Sequence, residues 1–407
     1  MSTAFSRHST EEKKSSTLIG RANDLSAILC VCCVIAWSTS MTVLFIVQML
    51  FFALTAVNAF ISNYKLSHIC LWALIFYSFC ILSAFWAYSV PGAEPHRWIM
   101  TLIKSFFLIF FVSLYANKMR EVDILLKGVL IGTSVLTVLL LVSTPLTEWG
   151  TARIGRALDM NQNNVGRIFV YAALISLTYT KKTKLYYILF AVFSVVLMFT
   201  GSRTAFVLLL FVVVFFFFSK VKKGTSFLYL IPISALILTL LYFSMNSELL
   251  YNVLGSRMEG LLNFFSEDAT ADHSTRIRME LIGIGFELFK DNVLIGYGID
   301  TFRHLNDRPL YSHNNYIELL VNFGLIGTVI YYGFYLSLLF RSAYSLFAKK
   351  IEIMVLPVSL IIMILVADVG TVSYFSAFPL ILIAISYKIY LLNRDTPDIT
   401  DQPDPVA

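Results

Sequence analysis

Apolar runs long enough to cross a bilayer follow one another through nearly the whole chain, parted by short polar breaks. No other feature constrains the fold as strongly. Inside lipid a backbone must satisfy its own N–H and C=O groups, so runs of this kind become helices. Of 407 residues, 58% are hydrophobic and only 14% are charged, far less than a soluble domain carries. The mean hydropathy of +0.76 agrees. The expected fold class is an all-α polytopic membrane protein.

Apolar length and the breaks between runs predict spans at 25–38, 41–61, 68–90, 99–116, 124–142 and 165–180. Six more are expected at 185–200, 205–219, 227–244, 316–340, 353–369 and 375–392, giving about twelve transmembrane helices. The stretch 91–98 holds two prolines and a glycine and reads as a loop. Residues 1–24 are mixed-charge and polar, without the pattern of a cleaved signal peptide, and are expected to form an N-terminal tail. The remaining divisions are spans one to nine at 25–244, a long polar loop at 245–312, spans ten to twelve at 313–392, and a tail at 393–407.

Short-loop cations set the orientation. Lys65, Lys118, Arg120, Lys181, Lys182, Lys184, Lys220, Lys222, Lys223, Lys349, Lys350 and Arg394 fall on alternating loops if both termini are cytoplasmic. A single tilted span in place of the first hairpin would flip Lys65. The net charge of +6 is spread over these loops, with no patch for nucleic acid. All five cysteines lie inside apolar runs and read as small buried hydrophobes.

The informative cations are those left on the outer side. Arg97, Arg153, Arg156 and Arg203 sit in loops that the rule expects to be poor in arginine. Arg203 lies in Gly201-Ser202-Arg203-Thr204-Ala205, a tight break at a membrane boundary. A cation there takes an acidic partner such as Glu148 or Asp159, an anionic ligand, or the headgroup phosphates. Guanidinium groups suit phosphate because they bind it bidentately. The connector from Arg153 through Arg156 to the cluster Asn161, Asn163 and Asn164 reads as a flexible cationic lip rich in amide donors. Arg167, one turn further on, either snorkels or joins the same site.

The long loop carries helical periodicity at 249–265 and 273–290, with Asp268 to Asp272 between. Two amphipathic helices are expected there as an extracytoplasmic cap, followed by a glycine-flexed turn at Gly296-Tyr297-Gly298. The chain then returns to Ser312-His313-Asn314-Asn315, where a polar loop meets a long apolar run. His313 there is a base candidate; the plain alternative is an interfacial histidine beside asparagines that cap the helix. Walker A, dinucleotide-binding and zinc-protease motifs are absent, and no carboxylates pair at metal-ligand spacing. No metal and no cofactor are expected.

Three stretches resemble the O-antigen ligase and Wzy-type polysaccharide polymerase superfamily of bacterial membrane glycosyltransferases. His313-Asn314, followed after nine residues by Gly324-Leu325-Ile326-Gly327, is similar to that family's histidine and Gly-x-x-Gly pattern. Gly201-Ser202-Arg203-Thr204-Ala205-Phe206 resembles its Ser-Arg element at an outer helix end. The helix running into Gly296-Tyr297-Gly298 resembles its Gly-x-Gly turn, with Asn292 and Val293 where the family often has proline. The resemblance spans about 203–327; over the first spans it rests on topology.

The resemblance implies a GT-C-like fold in the bacterial inner membrane, with the site on the periplasmic face. It implies glycosyl transfer, with inversion and without metal, from an undecaprenyl-diphosphate-linked glycan to a sugar hydroxyl. His313 would be the general base. An ordinary histidine pKa of about 6.5 suits that task. Arg203, then Arg153, Arg156 and Arg278, would stabilise the leaving diphosphate. Arg276 matches the family's cap arginine by position as Arg278 does. Asn314 and Asn315 would orient the histidine or bind sugar. Implied partners are the lipid-linked glycan, the bilayer and assembly proteins such as a chain-length regulator. A polymerase joining lipid-linked repeats is the favoured activity, and a ligase acting on lipopolysaccharide core shares the motifs. From another class, a lipid-linked glycan flippase also fits twelve spans, but it needs deep charges and internal repeats. The few deep charges are Lys104, Lys127 and Arg167, with Asp368 near an outer end, and no half-to-half repeat is evident.

Overall fold

A computed structural model of the chain describes residues 18–62, 64–151, 153–180, 182–218, 239, 242–243, 245–256, 259 and 273–395. Among these residues the secondary structure is helical, with no strand. The helices are α1 (Leu18–Ala36), α2 (Met41–Ser62), α3 (His68–Ala87), α4 (His96–Tyr115), α5 (Met119–Ser143) and α6 (Gln162–Tyr179). They continue with α7 (Leu185–Phe199), α8 (Arg203–Phe218), α9 (His273–Asp291), α10 (Asn315–Phe347), α11 (Val355–Asp368) and α12 (Ala377–Asn393).

Helices α1–α5 and α10, six in all, have the length and apolarity of a full crossing. α7, α8 and α12 are shorter apolar helices. The expected count of about twelve spans therefore exceeds what length and apolarity support among the described residues. Most of the expected ninth span, 227–244, lies outside them. The second expected cap helix is α9. The first, at 249–265, is described over the turn Glu248–Leu250 and the wider turn Tyr251–Gly255, with Ser256 and Glu259; its other residues lie outside the description.

α1 begins at Leu18, so the first helix reaches into the stretch assigned to a tail. The reason is pairing. Asn23 is buried and its side chain accepts from Thr55 Oγ1 at 2.9 Å. Asp24 accepts from Tyr115 Oη at 2.8 Å and pairs with Arg120 at 2.8 Å. Polar residues that look like tail in a hydropathy count are helical because partners hold them. The first hairpin is two helices, joined by a turn at 37–40.

The chain divides into two compact units. The first takes, of the described residues, those in 27–47 and 126–275, and within it α6 packs on α7 and α8. Packing is close where Gly166 of α6 meets the α7–α8 break: a Cβ there would stand 2.8 Å from both Ser202 Cβ and Thr200 Oγ1. The second takes, of the described residues, those in 18–26, 48–125 and 276–395, and α3, α4, α10, α11 and α12 form its bundle. Its core is aromatic: Trp72 stacks on Phe334 at 4.4 Å, and Phe76 lies 5.0 Å from Tyr331.

α10 is broken at Gly324, which takes φ 62° and ψ −164°. In an unbroken helix the amides of Leu325 and Ile326 would bond the carbonyls of Val321 and Asn322. Instead they donate to Val293 O at 2.8 Å and Leu294 O at 3.1 Å. The freed carbonyls of Val321 and Asn322 accept from Tyr297 N at 2.9 Å and Gly298 N at 2.7 Å. Two helical bonds are thus exchanged for four bonds to the 293–298 turn. Gly324 is required twice over: its φ is left-handed, and a Cβ would lie 2.4 Å from the Leu294 carbonyl.

Candidate active site

His313 sits two residues before α10. Asn314 is the N-cap of that helix, and its side chain accepts from Tyr316 N at 2.9 Å and Ile317 N at 3.2 Å. This is what an asparagine before an apolar run does. The cap turns His313 into the left-handed region, at φ 55°. Histidine visits this region more readily than most residues, and holding it there costs on the order of 1 kcal/mol. The neighbours hold it. Ser312 Oγ donates to Asn314 O at 2.7 Å and accepts from Asn314 N at 3.2 Å, bracketing the histidine. Ser312 N donates to the buried carboxylate of Glu318 at 2.9 Å.

Asn315 anchors the other side. It is fully buried, donates to Tyr332 Oη at 2.8 Å and Asp368 at 3.3 Å, and accepts from Ser373 N at 2.9 Å and Tyr374 N at 3.2 Å. Both asparagines are therefore engaged with the protein on every side that these bonds describe. His313 itself is half-buried, with the Tyr311 ring 4.0 Å from its own. Burial, and then the positive charge of Arg278, push its pKa down to about 4. The ordinary value expected from sequence does not hold in this setting. At neutral pH the imidazole is uncharged, as a base must be, but it is a weaker base than an ordinary histidine.

Arg278 reaches this position through α9. Ile277, Leu281 and Leu288, spaced along one face of α9, pack with Ile317 and Val321 of α10 and with Phe302. Arg278 is half-buried and acts on His313, whereas Arg276 is exposed. Of the two arginines that position alone could not separate, Arg278 is the one whose charge the histidine feels.

In the same unit Asp300 takes φ 63° and is largely buried, which raises its pKa against the opposing pull of Arg303 and His304. Its carboxylate pairs with Arg303, whose guanidinium lies 5.5 Å from the Trp98 ring. Arg97 pairs with Glu94 at 2.7 Å on the surface.

The first unit holds the other arginines. Arg153 donates from Nε to Thr200 O at 2.7 Å and from Nη2 to Asn163 Oδ1 at 2.8 Å. It thus ties the connector to the C-terminus of α7 and the N-terminus of α6. Ile154 is buried and bonds Phe199 O at 3.3 Å, and Trp149 lies 5.1 Å from Phe199. The connector expected as a flexible lip is instead folded into short turns at Leu146–Glu148 and Arg156–Leu158. Asn161 caps α6, accepting from Asn163 N at 2.9 Å, and Asn164 accepts from Arg167. Arg156 is exposed.

Arg203 opens α8 after a three-residue break. Gly201 takes φ 60°, and a Cβ there would lie 2.5 Å from Val253 O and 3.1 Å from Arg153 Cγ. Ser202 Oγ accepts from Ala205 N at 3.4 Å as an N-cap. Arg203 is half-buried and donates to Thr275 Oγ1 at 3.1 Å. Two helix N-termini and the arginines beside them make this part of the unit favourable to an anion.

The second unit thus holds His313 and Arg278, and the first holds Arg153 and Arg203. Among the described residues no three His, Cys, Asp or Glu side chains cluster as metal ligands. Sequence reasoning missed Glu318 and Asn322. A carboxylate and an amide four residues apart in an apolar run share one helix face, and that was their signal.

No curated protein matches the chain. The family model Wzy_C, described as O-antigen ligase, matches residues 188–332, which include the Gly201-Ser202-Arg203 break, α9, the 293–298 turn, His313 and the Gly324 kink. Over this segment, and not over the rest of the chain, the sequence is similar to the O-antigen ligase family.

Proposed function

We propose that this chain is a Wzy-type surface-polysaccharide polymerase of the bacterial inner membrane, with a GT-C-like fold and its site on the periplasmic side. In this reading it transfers an undecaprenyl-diphosphate-linked glycan onto a sugar hydroxyl of another lipid-linked repeat. The observation that carries the reading is His313, held on a pinned left-handed turn just before α10, within the segment that matches the family. Its imidazole accepts the proton of the acceptor hydroxyl. The hydroxyl oxygen bonds the anomeric carbon from the face opposite the leaving group, and the bond to the diphosphate oxygen breaks. The diphosphate leaves with the electron pair, and cationic donors lower the barrier as that charge grows. In this reading the contacts to the diphosphate are drawn from Arg203, Arg153, Arg156, Arg276 and Arg278. Asn314 and Asn315 orient the histidine by holding the turn around it. The reaction as written needs no metal.

A second reading rests on the name of the matching family: an O-antigen ligase transferring the finished glycan to lipopolysaccharide core. One experiment separates them. Purified protein is incubated with a lipid-diphosphate-linked repeat, with and without core acceptor, and products are resolved by mass. A ladder from the repeat alone supports the polymerase. Transfer only when core is present makes the protein a ligase. Absence of transfer in both, with repeats moved across proteoliposomes, overturns the transferase reading in favour of a flippase.

A further inference from the structure

Glu318 is a carboxylate in an otherwise apolar stretch of α10, buried with 5% of its surface exposed. A buried carboxylate is costly unless hydrogen bonds offset its lost hydration. One oxygen accepts from Ser312 N at 2.9 Å, and the other accepts from Asn322 Nδ2 at 3.2 Å, one turn along the same helix. Asn322 is fully buried, and its own oxygen accepts from Phe302 N at 3.0 Å and Thr301 Oγ1 at 3.2 Å. A relay of hydrogen bonds therefore runs from the residue before His313 to the 301–302 turn, and each member is directional. Asn322 cannot turn its amide over without confronting the Phe302 amide with another donor. Glu318 in turn must present acceptors on both sides.

We propose that Glu318 is a positioning residue for His313: through the Ser312 amide it holds the left-handed turn that aims the imidazole, and Asn322 fixes the carboxylate in the register to do so. The role in turnover rests on the reading of His313 as the base. The position of the imidazole is measured separately.

The polarity of the relay supplies the test. In Glu318→Gln the new amide nitrogen meets the amide nitrogen of Asn322, donor against donor. In Asn322→Asp two carboxylates meet, acceptor against acceptor. The double variant Glu318→Gln/Asn322→Asp restores every bond with the polarity of one link reversed. Its introduced glutamine accepts from Ser312 N and donates to the introduced aspartate, which still accepts from Phe302 N and Thr301 Oγ1. The first readout is the rate at which diethylpyrocarbonate modifies His313 in the intact, detergent-solubilised protein, followed by peptide mass. Loosening the turn exposes the ring, so each single variant is expected to react several-fold faster, and the double variant within about twofold of the parent. The second readout is transfer. The single variants are expected to lose kcat on the order of tenfold or more with KM for the donor little changed, as a misaimed base demands, and the double variant to recover. Unchanged His313 reactivity in both single variants overturns the proposal, as does a double variant no better than the worse single one. If reactivity responds and recovers but the parent protein transfers no glycan, the positioning stands and the assignment of His313 as base falls.

Discussion

Replacing Gly324 by alanine tests how the break in α10 is held. The added Cβ would stand 2.4 Å from the Leu294 carbonyl carbon and oxygen, well inside contact distance. Backbone must therefore move, and the moving parts are the four hydrogen bonds between 293–298 and 321–326. At about 1 kcal/mol each these amount to roughly 4 kcal/mol. Alanine at φ 62° and ψ −164°, a region that essentially only glycine occupies, adds about 1–3 kcal/mol of strain. The expected total is about 5–7 kcal/mol, a fall in the unfolding midpoint on the order of 10 °C. The assay is thermal unfolding of the purified protein in detergent, with glycan transfer measured beside it. Gly333→Ala is the internal control, since nothing lies within 4 Å of a Cβ at that position of the same helix. It is expected to be neutral or slightly stabilising, as alanine favours the helix by up to about 1 kcal/mol. A Gly324→Ala protein that unfolds within about 2 °C of the parent, with transfer intact, would refute the exchange of helical bonds for turn bonds.

Other consequences follow from the same geometry. Arg278→Gln removes the second cause of the depressed His313 pKa and leaves burial, so the acid limb of kcat/KM should rise from near pH 4 but stay below 6.5; an unmoved limb contradicts the electrostatic assignment. Because the folded-state pKa lies below the unfolded one, the unfolded chain binds the extra proton between them, and this group costs stability as pH falls from 6.5 towards 4. His313→Gln should therefore flatten that part of the stability–pH curve, measured by unfolding midpoints across the window. Arg153→Lys keeps the charge but cannot reach both Thr200 O and Asn163 in the fork geometry of a guanidinium, so it should lower the midpoint by a few degrees and transfer by about tenfold; lysine behaving as arginine would show that charge alone matters there.

Much of the helical pattern was legible because lipid leaves an apolar run few alternatives. It failed at the start of α1, where Asn23 and Asp24 read as tail but are held by Thr55, Tyr115 and Arg120, contacts that hydropathy cannot see. His313 and Gly324 stood out by residue type and spacing, yet nothing in the spacing says that the Gly324 amide neighbours bond the 293–298 turn. The connector at Arg153 looked like a loose lip because its anchors, Thr200 O and Asn163, lie far off in sequence or in an amide cluster with several readings. Arg276 and Arg278 were inseparable for a similar reason: residues two apart point to different sides of a helix, and only the packing of Ile277, Leu281 and Leu288 says which side is which. Glu318 was passed over as one acid in an apolar run, although Asn322 one turn later marked it.

The central claim is that His313 takes the proton of the acceptor. Its most direct test is transfer of a lipid-diphosphate-linked repeat by the purified protein and by His313→Ala, with donor binding measured in both. The account predicts donor binding within a few-fold of the parent and a loss of transfer on the order of 10²–10⁴-fold, the usual contribution of a general base. Transfer by His313→Ala at the parent rate would contradict it.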